Sequence, residues 1–226
     1  MIKITYRFKY LEKDQEILIY HIGLDEENYQ FINQEEEDPN MASWTALDFH
    51  QCSNCPLNKD QNPQCPIAKN IANLVYTFHD VTSHEKCMVY VETEERIYAK
   101  KASVQEGLYS IFGIIMATSG CPHMNFFKPM ARFHLPFSTT DETLFRAASI
   151  FLLGEYLNGG PENCELKKLK EHYAEVSKVN EGILKRIRSV NKKDADLNAL
   201  IILDNFAQII DFELMDDFTT LSSFFK

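Results

Sequence analysis

The sequence predicts an α+β protein: an N-terminal antiparallel sheet packed on a buried central helix, a cysteine-bearing loop, and a C-terminal helical hairpin. Three observations carry this. Residues 2–10 alternate polar and apolar with the period of two that a half-buried strand needs. Two capping boxes, Ser103-Val-Gln-Glu106 and Thr139-Thr-Asp-Glu142, each open a helical stretch. A third stretch, Cys164 to Val190, repeats apolar residues at helical spacing.

The elements follow in order. Lys3, Thr5, Arg7 and Lys9 alternate with Ile4, Tyr6, Phe8 and Tyr10. Residues 16–23 are rich in β-formers, and Lys13-Asp14-Gln15 reads as the hairpin turn between the two strands. Tyr29–Ile32 and Ser43–Phe49 are expected as further strands. The acidic run Glu35–Asp38 with Pro39-Asn40 is expected as a solvated loop. Pro66 suits a first helical turn, and Ile67, Ile71, Leu74, Val75 and Phe78 follow at helical spacing. Cys87–Thr93 and Arg96–Lys101 read as paired strands.

The helix after Ser103 is apolar on nearly every face, which places it at the centre of the core, and Gly120 is its natural stop. Residues 121–136 read as an irregular, proline-punctuated connection. A helix from Thr139 runs to about Asn158, and Gly159-Gly160-Pro161 breaks it. The next helix places Leu166, Leu169, Tyr173, Val176, Ile183, Ile187 and Val190 on one stripe, and a last helix opens at Asp194. The organisation expected is a domain over residues 1–160, with a metal-binding loop at 50–66 and a second motif loop at 119–137, followed by a helical hairpin over 161–226.

Composition narrows the function. The chain has 226 residues, 45% hydrophobic and 25% charged, enough for a sizeable core and unlike a disordered chain. The net charge of −10 argues against nucleic acid as a partner. The longest apolar stretch, Gly107 to Ala117, is roughly half the ~20 residues a membrane span needs. The N-terminus lacks the apolar core of a signal peptide, so a cytoplasmic location is expected. Residues 165–193 carry 9 basic and 4 acidic groups, and residues 194–226 carry 1 and 7. Two such helices fit an intramolecular hairpin, through which a protein partner or a homodimer could form.

Cysteines carry the chemistry. Three lie together in His50-Gln-Cys52-Ser-Asn-Cys55-Pro…Gln-Cys65-Pro. In a reducing compartment, clustered thiols bind metal more often than they form disulfides. Thiolates at this spacing suit zinc or an iron–sulfur cluster. The fourth ligand is Cys121 or His50: the former set suits a four-iron cluster, the latter zinc, and the nearby histidine favours zinc. Cys87 is expected in the core, and Cys164 at a helix entry.

The second motif, Ser119-Gly-Cys121-Pro-His123 through Arg132-Phe-His134-Leu-Pro136, gathers a thiol, two imidazoles and a guanidinium. It reads as a pinned connection, as the source of the fourth metal ligand, or as a thiol redox site using Cys121, Arg132 and His134. The stretches Trp44–Leu57, Cys65-Pro-Ile-Ala, Gln105-Glu-Gly-Leu, Met116–Met124 and Pro129–Pro136 together resemble an uncharacterised bacterial domain family of unknown function, over roughly residues 40–157. The resemblance implies that the two motif segments belong to one site and brings no reaction with it. The expected function is a metal-binding protein whose cysteine site organises an interaction or regulatory fold. The alternatives are a metal-dependent or thiol redox enzyme and a homodimeric scaffold acting through the C-terminal helices.

Overall fold

In a computed structural model of the chain, residues 1–11, 17–33, 43–160, 162, 165–190, 198, 219–222 and 225 are described. Strands β1 (Ile2–Tyr10), β2 (Ile17–Leu24), β3 (Lys86–Glu92) and β4 (Ile97–Ser103) form one antiparallel sheet in the order β2-β1-β3-β4. The alternation read from the sequence sets its register. Tyr6 sits opposite Tyr20 and Val91, and Phe8 opposite Leu18 and Val89. Ile4, Tyr6, Phe8, Ile22, Leu24, Val89 and Val91 are all buried on one face. Arg7 on the other face pairs with Glu92 at 2.9 Å. Lys100 and Lys101 lie exposed on the edge strand β4, where charge discourages further strand pairing.

Helices α1 (Pro66–Phe78) and α2 (Val104–Thr118) cover the buried face. Phe78 meets Phe8 edge to face with ring centres 5.2 Å apart. Gly107 lets α2 approach this layer, because a Cβ there would overlap the Phe8 ring. The capping box forms as expected: the Ser103 amide donates to the Glu106 carboxylate at 2.8 Å. Gly120, at φ 88°, follows the end of the helix in the left-handed region that favours glycine.

After a 3-10 turn at Pro122–Phe127 come α3 (Lys128–Arg132), α4 (Thr140–Gly159) and α5 (Leu166–Arg188). The second capping box also forms, with the Thr139 amide donating to Glu142 at 2.7 Å. Leu144, Ala147, Ala148 and Phe151 of α4 pack with Leu169 and Tyr173 of α5 in a smaller cluster. Val176, Val179, Ile183 and Ile187 of α5 belong to the same core as the sheet.

Several expectations need correction. Tyr29–Ile32 forms no strand; Phe31 makes one isolated bridge to Leu24. Ser43–Phe49 is not a strand either: Ser43–Thr45 is a 3-10 turn, and the following turn ends at His50 with φ 46°. The segment makes one isolated bridge, Ala46 to Gln64, and the carbonyls of Trp44, Ala46 and Leu47 go to a side chain, as described below. Of the connection expected to be irregular over 121–136, residues 122–132 are wound into helical turns, with Pro122 and Pro129 in their first turns, and 133–136 stay irregular. Val190, assigned to the buried stripe of the long helix, is 40% exposed. The turn at Lys13–Gln15, the acidic loop Glu35–Asn40, Cys164 and most of the helix expected from Asp194 lie outside the described residues.

Candidate functional site

The cysteine loop is held by backbone and side-chain contacts to three elements. The Cys55 amide donates to the Cys52 carbonyl at 3.0 Å, closing the Cys-x2-Cys turn. Cys65 precedes α1 directly, its amide donating to the Thr45 carbonyl at 2.8 Å. This puts Cys65 at the N-terminal cap of α1. Cys121 precedes the 3-10 turn in an extended conformation (φ −64°, ψ 126°), and its amide donates to the Ser119 hydroxyl at 3.2 Å. The Asn70 amide group donates to the Ser119 carbonyl at 3.3 Å, which ties the start of α1 to the end of α2.

Helix α5 closes the third side. Asn54 donates to the Glu175 carbonyl at 3.0 Å and to its carboxylate at 2.8 Å. The Cys52 thiol points at the Val179 carbonyl, 3.9 Å away. Gly182 makes this approach possible: a Cβ there would lie 2.5 Å from the Cys52 sulfur and 3.4 Å from its Cα. His123 Nε2 is hydrogen-bonded to the Asn54 carbonyl at 2.8 Å, so the second motif is stitched directly to the cysteine loop.

Four thiols therefore share one neighbourhood. Burial pushes the Cys52 thiol up to about 11, and Cys65 and Cys55 raise it further, while the Arg186 charge opposes them. Burial also pushes Cys121 up to about 12, with added contributions from Cys65, Cys52 and Cys55. None of the five described cysteines is in a disulfide. Among the described residues, no group of three or more His, Cys, Asp or Glu side chains is placed to hold a metal ion. Cys87 stands apart: it is fully buried in β3, and its thiol, pushed up to about 12 by burial, points at the Ala102 carbonyl at 3.6 Å.

His50 does not join the thiols. The residue is exposed, its ring packs edge to face on Phe49 at 4.6 Å, and it is not among the groups acting on Cys52 or Cys121. A strand would have put positions 50 and 52 on one face; the turn that replaces it does not. Arg132 and His134 are likewise engaged elsewhere. Arg132 lies 3.8 Å from Glu95, and His134 shares a 2.5 Å hydrogen bond with the buried Tyr6 hydroxyl. Neither is among the groups that shift Cys121, whose thiol is raised instead of lowered.

The residue that sequence reasoning missed is Arg186. It is 1% exposed, and its guanidinium donates to the carbonyls of Trp44 at 2.6 Å, Ala46 at 2.7 Å and Leu47 at 2.9 Å. It organises the turn that leads into the cysteines and lies close enough to Cys52 to favour its ionisation. Its Nε is buried without a partner, and no carboxylate is within ion-pair distance among the described residues. One signal was present. Arg186 falls between Ile183 and Ile187, on the stripe that the periodicity assigns to the core.

Over residues 4–226 the chain matches the model of the family described as domain of unknown function DUF6901, and it belongs to that family. The match extends past the motif segments into the C-terminal helices. No curated protein and no solved structure matches the chain.

Proposed function

We propose that this member of the family carries a metal centre on Cys52, Cys55, Cys65 and Cys121, and that the centre holds α5 against the rest of the fold. The observation behind this reading is the gathering of four thiols from two distant motif segments into mutual electrostatic reach. Cys52 and Cys121, whose pKa burial and the neighbouring thiols raise, are poorly placed to ionise alone, and a bound metal deprotonates its thiol ligands outright. Arg186 supports the same reading. Burying a guanidinium is costly; the Asp48 carboxylate acts on it only from beyond ion-pair distance, and a tetrathiolate centre would add negative charge beside it.

The sulfur-only set changes the preferred metal. Zinc is the choice where His50 supplies a nitrogen, and the exposed His50 ring packs on Phe49 instead. A tetrahedral zinc needs four sulfurs converging at ~2.3 Å from one point. An iron–sulfur cluster bonds each cysteine to a different iron and so accepts ligands that surround a volume. A sulfur-only set with proline after Cys55, Cys65 and Cys121, as in ferredoxin-type runs, fits the four-iron cluster better. Anaerobically purified full-length protein should be brown and hold about four iron and four sulfide per chain. A colourless protein with one zinc would leave the centre and replace the metal; metal-free protein of unchanged stability would overturn the reading.

In this account the centre has a structural and regulatory part, because α5 supplies both its wall and a share of the core. The exposed Leu153, Tyr156 and Leu157 of α4 favour an accompanying role in binding a protein, including a second copy of the chain. A concentration-dependent mass in light scattering would support self-association, and a constant monomer mass would exclude it.

A further inference from the structure

A cavity of about 130 Å3 opens between α2, α3, α4 and α5, beside the thiols but not lined by them. By the same kind of measure one water needs about 10–15 Å3, so the space admits a ligand of several heavy atoms. Most of its wall is apolar: Ile114, Met116, Ala117, Met124, Phe127, Met130 and Val176. Set into that wall are Arg146, His134, Asn180, Tyr173 and Tyr109.

Two of these polar groups open onto the cavity itself. Asn180 is 2% exposed and Tyr173 is 5% exposed, and neither side chain has a hydrogen bond among the described residues. Their polar atoms face that space, where a ligand with a matching acceptor would meet both. Arg146 is the lining residue with a full charge. Its Nη2 donates to the carbonyls of Met130 at 2.9 Å and Phe133 at 2.8 Å, which fixes the guanidinium. Its other nitrogens make no hydrogen bond, and it has no ion pair among the described residues. Glu142, one turn earlier on α4, is occupied by the Thr139 amide.

His134 adds no second charge. Its ring tip reaches the buried Tyr6 hydroxyl, and burial together with the Arg146 charge lowers its pKa to about 3. The cavity thus offers one positive charge, neutral hydrogen-bonding groups and an apolar wall.

We propose that this cavity is a binding site for a small monocarboxylic acid with an apolar body, its carboxylate paired with Arg146 and met by Tyr173 and Asn180. A doubly charged phosphate ester would leave one charge without a partner in an apolar wall. A neutral apolar ligand would leave Arg146, Asn180 and Tyr173 unsatisfied. The planar guanidinium fork suits a carboxylate, and a charge-assisted bond exceeds a neutral one.

The test uses the full chain and two matched pairs of probes, benzoate with benzamide and hexanoate with hexanamide, titrated by protein-observed NMR. The acids should shift resonances of Ala117, Met130 and Asn180 saturably, and the amides should bind about tenfold more weakly, the worth of one charge-assisted contact. Asn180→Leu and Tyr173→Phe remove one polar group each with little change in volume and should weaken acid binding while leaving the fold intact. Arg146→Lys should retain part of the acid preference. Acids that leave the cavity resonances unmoved, or acids and amides of equal affinity, would overturn the proposal, as would unchanged acid binding in folded Asn180→Leu and Tyr173→Phe. The acid–amide comparison needs no variant, so it decides the matter even if Arg146→Lys fails to fold.

Discussion

Helix α5 serves two neighbouring regions in different ways. Along Glu175, Val179 and Gly182 it meets the cysteine loop, where a bare glycine and main-chain carbonyls allow close contact. Along Tyr173, Val176 and Asn180 it walls a cavity onto which the Tyr173 hydroxyl and the Asn180 amide open. The thiol region is knitted from segments far apart in sequence, through hydrogen bonds that include His123 to Asn54. The cavity region is left partly unpaired. The lesson is that one helix can close a site with its backbone on one stripe and leave another site open with its side chains on the next.

The largest expected effect comes from the link between the two regions. Deleting residues 161–226 removes Val176, Val179, Ile183 and Ile187 from the core and strips the wall from both sites. The truncated chain should lose cooperative unfolding in calorimetry; a folded, metal-replete truncation would show that residues 1–160 stand alone. Arg186→Met comes next. It leaves three buried carbonyls without their donor, at about 1–3 kcal/mol each. Melting temperature should fall by on the order of 10 °C, with the cysteine loop affected more than the cavity.

Gly182→Val sharpens the comparison more selectively. Its Cβ falls on the Cys52 sulfur, so it should displace that thiol at about 1–3 kcal/mol of overpacking cost. Metal content should drop while acid binding in the cavity persists. A variant that keeps both would show that α5 can shift without disturbing the thiols.

The cavity side answers to pH. The folded-state pKa of His134 lies near 3, below the ~6.5 of an unfolded chain. The unfolded chain therefore takes up a proton that the folded chain refuses. Stability is full above about pH 6.5 and falls as pH drops toward 3, by about 1–2 kcal/mol at pH 5 from this group. Urea midpoints at pH 7 and pH 5 measure the loss, and His134→Gln should remove that part of it. A difference unchanged in His134→Gln would place the proton elsewhere.

Much of the fold was legible because its signals are local. Alternation placed β1, and the Ser103–Glu106 and Thr139–Glu142 boxes placed the starts of α2 and α4. The 43–50 segment was misread because its β-like composition is overruled by Arg186, a residue more than a hundred positions away. The four cysteines were nominated by spacing and by proline neighbours, which need no tertiary information. The choice between Cys121 and His50 did need it, since a turn instead of a strand decides where His50 points. The cavity was invisible for the same reason. Arg146, Tyr173 and Asn180 look like ordinary helix residues until α4 and α5 bring them to one space.

The smallest expected change, set beside a large one, gives the most direct test of the four-thiol centre. Anaerobically purified wild type, Cys121→Ser and His50→Ala should be compared for iron, zinc and acid-labile sulfide per chain, with Cys87→Ser as the control for a buried thiol outside the site. The account predicts that Cys121→Ser loses most of its metal, whereas His50→Ala and folded Cys87→Ser match wild type. A metal-replete Cys121→Ser together with a metal-free His50→Ala would contradict it and return the fourth ligand to the histidine.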